Sequence, residues 1–297
     1  MRLGLVLLAL CGLVSCESSI GQKNGKNSVP GIMNGRDVKA SETLAASIVA
    51  VWDEDEQFIC TGSLLPNNIV LTAAHCVISK PTELKIVFST QPYAVLDSRK
   101  SEVIVERTRR VTSGRAHDKW RDDDNDSSVD QNDIALLKFE GSLPPGYRPA
   151  TMLADAAALV RGAMVSVAGY GVDDVSMETV DPKKMSRQKL EEGIENGEIV
   201  CDDHLTHCFS VEMSGDGTLR TAEAPIKAVH ATEVRLDETR KGTCSGDSGG
   251  PAYILKDGVY YLFGVTSRGS SMCDNEGIYT NALAHRGWME ETLRMLK

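Results

Sequence analysis

Short apolar segments rich in β-branched residues recur along the chain, and turn-forming residues separate them. Segments with this length and spacing predict β-strands. The predicted strands are residues 47–52, 58–65, 69–73, 84–88, 134–139, 164–168, 219–226, 259–266 and 278–280. A helix is predicted at the end, over 285–297, where Trp288, Thr292, Leu293, Met295 and Leu296 fall on one side. The chain is therefore predicted to be all-β with a C-terminal α-helix.

Residues 242–251 read Gly-Thr-Cys-Ser-Gly-Asp-Ser-Gly-Gly-Pro and carry a candidate nucleophile, Ser248. The glycines at 246, 249 and 250 predict a backbone folded tightly around this serine, because glycine tolerates conformations that other residues avoid. Such a turn can direct several N–H groups at one point, as the stabilisation of an oxyanion requires. An ordinary surface turn is the alternative interpretation.

A serine hydroxyl needs a base to take its proton, and two further motifs offer partners. His75 ends an apolar run in Leu-Thr-Ala-Ala-His-Cys, and Asp133 begins another in Asn-Asp-Ile-Ala-Leu-Leu-Lys. The motifs at 73–76, 133–137 and 246–251, in the order His, Asp, Ser, resemble those of the trypsin/chymotrypsin-like serine proteases.

This resemblance implies an acyl-transfer mechanism. Ser248 would attack a peptide carbonyl, His75 would take and later return the proton, and Asp133 would orient His75. The N–H groups of Gly246 and Ser248 would form the oxyanion hole. The resemblance implies no metal and no organic cofactor, and it gives protein or peptide substrates.

The resemblance also implies a fold of two six-stranded antiparallel β-barrels and a C-terminal helix. It covers residues 32–297, with a first barrel at about 32–145, a second at about 146–284 and the helix at 285–297. His75 and Asp133 would then belong to the first barrel and Ser248 to the second.

The specificity pocket implied by the resemblance lacks an acid at its base. In the trypsin branch an acid stands six residues before the nucleophile, where this chain has Gly242. The implied wall is Ser267, Arg268 and Gly269, with Gly277 opposite, and the family usually has tryptophan in place of Arg268. We expect cleavage after uncharged, large apolar residues. Asp274 and Glu276 are close enough in sequence to enter the pocket, and Glu276 would reverse this preference.

The N-terminus predicts export. Residues 3–15 form an apolar run after Arg2, too short to span a bilayer and typical of a signal peptide. Residues 13–16, Leu-Val-Ser-Cys, resemble a bacterial lipobox, in which Cys16 would be lipidated. The prediction is a bacterial-type periplasmic or outer-surface lipoprotein whose only membrane contact is the lipid on Cys16. A plain secretory peptide with a chance cysteine is the alternative.

Residues 17–31 are rich in Ser, Gly, Asn and Lys and predict a pro-segment or tether. The next residues, Ile-Met-Asn-Gly, resemble the start of the mature family enzymes. That resemblance implies a zymogen, in which an activating protease frees the ammonium of Ile32 to pair with the buried carboxylate of Asp247. The family usually has a basic residue where Gly31 stands.

Six of the eight cysteines remain when Cys11 and Cys16 are set aside, an even number that suits an oxidising compartment. The resemblance pairs Cys60 with Cys76 and Cys244 with Cys273. Cys201 and Cys208 are left as a third disulfide. With His204 and His207 they alternatively form a possible zinc-ligand set.

Two regions exceed the family length, at 121–132 and 172–215. The first is acidic, and its alternating aspartates resemble part of a calcium loop, but Ser127 stands where such a loop needs glycine; a solvated loop is the preferred interpretation. The second replaces the family's autolysis loop. The formal net charge of −10 disfavours nucleic acids and anionic membranes as partners.

The sequence therefore predicts a serine endopeptidase. A catalytically silent homologue that acts as a binding module is one alternative, and an esterase with the same triad is another. The intact set of three motifs argues against the first, and the motif order and disulfides argue against the second.

Overall fold

A computed structural model describes residues 32–121, 131–202, 204–270 and 272–296. The predicted signal peptide with Cys16, the segment 17–31 and residues 122–130 of the acidic insertion lie outside this description. Across the described ranges, no helix is long and apolar enough to cross a bilayer.

The first barrel is a closed ring of six antiparallel strands. Its strands are β2 Ile48–Asp53, β3 Phe58–Leu65, β4 Ile69–Thr72, β5 Leu84–Val87, β6 Thr108–Ala116 and β7 Ala135–Phe139. They follow the order β2-β3-β4-β7-β6-β5 around the ring, and pairing of β2 with β5 closes it. Two short helices, α1 Pro92–Leu96 and α2 Ser101–Arg107, connect β5 to β6.

The second barrel is built in the same way. Its strands are β9 Met164–Gly169, β13 Arg220–Val229, β14 Glu233–Asp237, β15 Pro251–Lys256, β16 Val259–Gly269 and β17 Glu276–Asn281. Their order is β13-β14-β17-β16-β15-β9, and pairing of β9 with β13 closes the ring. Two short strands extend this sheet: β1 Arg36–Asp37 pairs with β13, and β8 Thr151–Met152 pairs with β16. The predicted pair of six-stranded barrels is confirmed.

The apolar side chains form one core in each barrel. The larger core fills the first barrel and continues into the interface with Tyr170, Tyr253 and Leu262 of the second half. The C-terminal helix, α4 Arg286–Met295, packs Met289 on this larger core. The second core lies inside the second barrel. The two barrels therefore share buried surface, and α4 ties the end of the chain to the first barrel.

The insertion at 172–215 folds into a small module of its own. Strands β10 Asp174–Val180, β11 Ile199–Cys201 and β12 Cys208–Ser214 form a separate sheet in the order β10-β12-β11. Helix α3 Arg187–Glu195 covers it, and Leu190, Ile199 and Cys208 form its core.

Candidate active site

Strand pairing brings His75 and Asp133 together. His75 lies in a 3-10 turn just after β4, and Asp133 lies two residues before β7. These strands pair antiparallel, with Thr72 opposite Ala135, so the end of one meets the start of the other. The result is a distance of 2.7 Å between His75 Nδ1 and Asp133 Oδ2.

The carboxylate of Asp133 is buried and fully engaged by donors. Its Oδ1 accepts hydrogen bonds from the N–H groups of Ala74 at 2.7 Å and His75 at 3.1 Å. Its Oδ2 also accepts a 2.7 Å hydrogen bond from Ser267 Oγ. Burial alone would raise the pKa of Asp133, but the hydrogen bonds and charge of His75 and the bond from Ser267 outweigh it and lower the pKa. Asp133 is therefore held as a carboxylate in direct contact with the His75 ring.

The loop that carries Ser248 is tied to the first barrel through Thr61 of β3. The Thr61 N–H donates to the Ser248 carbonyl at 2.8 Å, and Thr61 Oγ1 donates to the Gly246 carbonyl at 2.9 Å. Gly246 has a φ of +93°, which only glycine adopts without strain. The candidate nucleophile of the second barrel is thus positioned by a residue of the first.

The peptide groups around Ser248 have defined orientations. The Ser245 carbonyl accepts a 2.9 Å bond from Val172 N–H, and the Asp247 carbonyl accepts a 2.8 Å bond from Gly250 N–H. In a trans peptide the C=O and the following N–H point in opposite directions. The N–H groups of Gly246 and Ser248 are therefore directed away from these two scaffold contacts.

Asp247 is completely buried behind this loop. Its oxygens accept hydrogen bonds from Gly171 N–H at 2.8 Å and Cys244 N–H at 2.9 Å. Burial raises the pKa of Asp247 to about 7, because these two bonds only partly compensate the loss of water. Ile32 is also fully buried, in the core of the second barrel, and has a φ of +37°.

A pocket of about 190 Å³ opens beside Ser248. Ser267, Arg268 and Gly269 line it, as the predicted wall does, together with Thr243 and the Cys244–Cys273 disulfide. Ser267 thus lies between the pocket and the carboxylate of Asp133. Arg268 is held by Glu233 through bonds of 2.9 Å and 3.0 Å.

A carboxylate lies behind Gly242, although none of the described residues that line the pocket is acidic. A Cβ at Gly242 would come within 2.6 Å of Glu238 Oε2, and one at Gly277 would come closer still to the same atom. The carboxylate of Glu238 therefore occupies the space that the two glycines leave. Glu276, the acid suspected from sequence, instead contacts Lys227 and Arg235, at 2.9 Å and 3.3 Å.

All three expected disulfides are present: Cys60–Cys76, Cys201–Cys208 and Cys244–Cys273. The Cys201–Cys208 bridge removes two thiolates from the alternative zinc set, and His207 there contacts Asp202 at 2.9 Å. Cys60, His75 and Cys76 lie within metal-binding distance of one another. Their sulfurs are joined and His75 contacts Asp133, so these groups are already engaged.

Sequence reasoning missed two functional candidates, Thr61 and Glu238. Thr61 lies in a predicted strand, but nothing local marks its contact with a loop far along the chain. Glu238 stands four residues before Gly242, and its packing against Gly277 depends on the pairing of β14 with β17. The two glycines were a usable signal, since they predict that another side chain fills the space between them.

Comparison with known proteins agrees with this geometry. Residues 32–289 match the family described as Trypsin. Among curated relatives, the CLIP domain-containing serine protease B15 of Anopheles gambiae is 27% identical over 79% of this chain and 61% of its own length. The B8 protein of the same mosquito is 26% identical over 78% of this chain and 58% of its own length. The chain thus spans about three fifths of these relatives and belongs to the trypsin-like serine protease family.

Proposed function

We propose that this protein is a serine endopeptidase in which Ser248, His75 and Asp133 form the catalytic triad. The observation that carries the proposal is the 2.7 Å contact between His75 Nδ1 and the buried Asp133, next to a serine loop anchored on the same barrel. Asp133 fixes the tautomer of His75, so that Nε2 is left as the base.

The reaction follows from these positions. His75 takes the proton of Ser248 as the oxygen attacks a peptide carbonyl, and returns it to the departing amine. Water then hydrolyses the acyl-enzyme by the same route. General-base catalysis of this kind contributes roughly 10²–10⁴ in rate. The N–H groups of Gly246 and Ser248 hold the oxyanion, and losing one such donor costs about 10²–10³.

The chain acts as a zymogen that is activated by cleavage before Ile32. A β-branched residue at a φ of +37° is strained, because its Cβ crowds the preceding peptide group. Cleavage removes that peptide group and frees an ammonium. Asp247 is a buried carboxylate whose hydrogen-bond donors are two backbone N–H groups, and the charge of Arg220 acts on it only weakly, so an ammonium would supply a direct counter-charge. An activating protease is thus the second partner, besides protein substrates.

Export is part of this proposal, and the three disulfides support an oxidising compartment. Lipidation of Cys16 rests on residues 13–16 alone, and both relatives named above are insect proteins. Expression in a bacterium tests it, because Cys16→Ser would release the protein from the membrane fraction. Unchanged partition would leave an ordinary signal peptide.

Labelling and digestion test the catalytic assignment. A fluorophosphonate should label Ser248 in processed protein, and casein should be cleaved. Ser248→Ala and His75→Ala should each abolish casein cleavage while the fold, followed by circular dichroism, is retained. Labelling without casein cleavage would favour an esterase, and absence of labelling would favour a silent homologue. N-terminal sequencing of active material should begin at Ile32.

The expected preference for uncharged, large apolar residues before the scissile bond rested on the glycine at 242 and did not take account of Glu238, which adjoins it. The contacts of Glu238 therefore decide which residue the pocket favours.

A further inference from the structure

Glu238 is a buried carboxylate with neutral partners. Glu238 is the first residue after β14 and is 3% exposed. Oε1 accepts a 2.5 Å bond from the Tyr279 hydroxyl, and Oε2 accepts 3.1 Å bonds from the N–H and the hydroxyl of Thr243. Both partners are uncharged, so these contacts hold the carboxylate in place without neutralising it.

The same carboxylate stands against the predicted base of the specificity pocket. Side chains at Gly242 or Gly277 would collide with it, and Thr243 lines the pocket while it bonds Glu238 Oε2. A substrate side chain that reaches the Thr243 hydroxyl is therefore one hydrogen bond away from Glu238.

The surroundings of Glu238 favour a cation. Burial raises its pKa to about 7, since its donors only partly replace water. The charge of Glu238 also raises the pKa of Asp247, so the two buried acids interact with each other. An uncompensated buried charge is costly, and an incoming ammonium or guanidinium would relieve it.

We propose that Glu238 is the specificity-determining residue of the pocket and directs cleavage after lysine or arginine. The acid is supplied from the end of β14 and not from position 242, where the sequence places glycine. Gly242 and Gly277 make the arrangement possible, because any side chain there would displace the carboxylate. This inference rests on the proposed protease function and names its substrate class.

Kinetics on matched peptides test the proposal. Processed wild-type protein would be assayed on substrates that differ only in Lys, Arg, Phe or Leu before the scissile bond. We expect kcat/KM to be at least tenfold higher for the basic residues. Glu238→Gln should lower kcat/KM for Lys and Arg by roughly 10²-fold, the range for removing one partner of a buried charge pair. It should leave Phe and Leu within about threefold.

Two further variants separate charge from folding. Glu238→Asp keeps the charge and should retain the basic preference at reduced kcat/KM. Glu276→Gln is the matched control, because its carboxylate contacts Lys227 and Arg235 instead, and it should leave the preference unchanged. A higher kcat/KM for Phe than for Arg in the wild type, or an unchanged preference in Glu238→Gln, overturns the proposal.

Binding of a small cation tests the role of Glu238 without requiring catalytic activity. Benzamidine, with neutral benzamide as its control, would be titrated into processed Ser248→Ala protein by calorimetry. We expect binding of benzamidine and not of benzamide, with at least tenfold weaker binding after Glu238→Gln. Equal binding of the two probes overturns the role of Glu238 even if Ser248 is never labelled. If the fluorophosphonate fails to label Ser248 in the wild type but benzamidine binds as expected, the protease function is overturned and the cation-binding role of Glu238 is retained.

Discussion

The hydroxyl and backbone of Thr61 show how much a single buried residue can hold in place. Its N–H donates to the Ser248 carbonyl and its hydroxyl donates to the Gly246 carbonyl, and the hydroxyl also accepts a 3.1 Å bond from Tyr170 N–H. Its carbonyl accepts a 2.8 Å bond from Thr72 at the end of β4, three residues before His75. Thr61 thus contacts sequence neighbours of both His75 and Ser248, the proposed base and nucleophile.

We predict that Thr61→Val lowers both stability and activity. Valine keeps the shape but removes the hydroxyl, which leaves the buried Tyr170 N–H and the half-buried Gly246 carbonyl without this partner. The cost should be about 1–3 kcal/mol in the free energy of unfolding, measured by urea titration. Activity on casein should fall as the Ser248 loop loosens.

Thr61→Ser is the matched control, since it keeps the hydroxyl and loses only a methyl group. It should retain most of the activity that Thr61→Val loses. Equal losses in the two variants would contradict the role of the hydroxyl and point to packing instead.

Single residues also mark the limit of what the sequence can reveal. His75, Asp133 and Ser248 each stand in a local motif, so the sequence alone predicts their types and their order. Thr61 and Glu238 make their contacts with residues far away in the sequence, and no local sequence pattern predicts such contacts. The apolar preference expected for the pocket was drawn from the glycines at 242, 269 and 277, and it did not include the side chain of Glu238, which fills the space beside two of them.

At the scale of elements, strands were predictable where apolar residues dominate. The strand predicted at 58–65 matches β3, and those at 69–73 and 84–88 differ from β4 and β5 by one residue. The barrel strand β6 Thr108–Ala116 was missed because three arginines break its apolar pattern. The strands β10 and β12 are half exposed, so they lack the apolar runs of a core strand.

The module of β10, β11, β12 and α3 carries a disulfide prediction. Cys201 and Cys208 face each other across β11 and β12 and close a short loop. In the chain-entropy account such a bridge contributes about 2–3 kcal/mol. Because the module has its own small core, Cys201→Ser with Cys208→Ser should open it locally. Hydrogen exchange over 174–214 should accelerate while casein cleavage stays within about twofold of wild type.

The Cys60–Cys76 bridge is the contrasting case, because it borders His75 within the first barrel. Replacing both of its cysteines by serine should reduce casein cleavage substantially. If instead the Cys201–Cys208 pair proved the more damaging to activity, the module would have to be part of the catalytic unit.

For the whole molecule, two buried acids set a pH dependence of the free energy of unfolding. The pKa of Asp247 rises from 3.8 and that of Glu238 from 4.5, each to about 7, chiefly through burial. Between the ordinary pKa of each acid and about pH 7, the unfolded chain releases protons that the folded chain retains. The free energy of unfolding therefore falls as pH rises and levels off above about pH 7. Asp133, with its lowered pKa, acts in the opposite sense only below its ordinary value of 3.8.

We therefore predict that the thermal midpoint of the unprocessed chain falls between about pH 4 and pH 7. Asp247→Asn and Glu238→Gln should each flatten that fall. Processed protein should show a smaller fall than unprocessed protein, since the Ile32 ammonium would favour the charged form of Asp247. A midpoint that rises through this range in the unprocessed chain, unaffected by either variant, would contradict the burial argument.

Because the candidate site is divided between two barrels, the order in which the barrels are synthesised decides when its residues can meet. A ribosome delivers the first barrel before the second, and this barrel contains both His75 and Asp133. The serine emerges late, and its loop gains the anchor at Thr61 only once the second barrel docks. A translation product that ends before residue 248 lacks Ser248, the proposed nucleophile. Under the proposed function, the three residues of the site can meet only after both barrels have been synthesised and have docked.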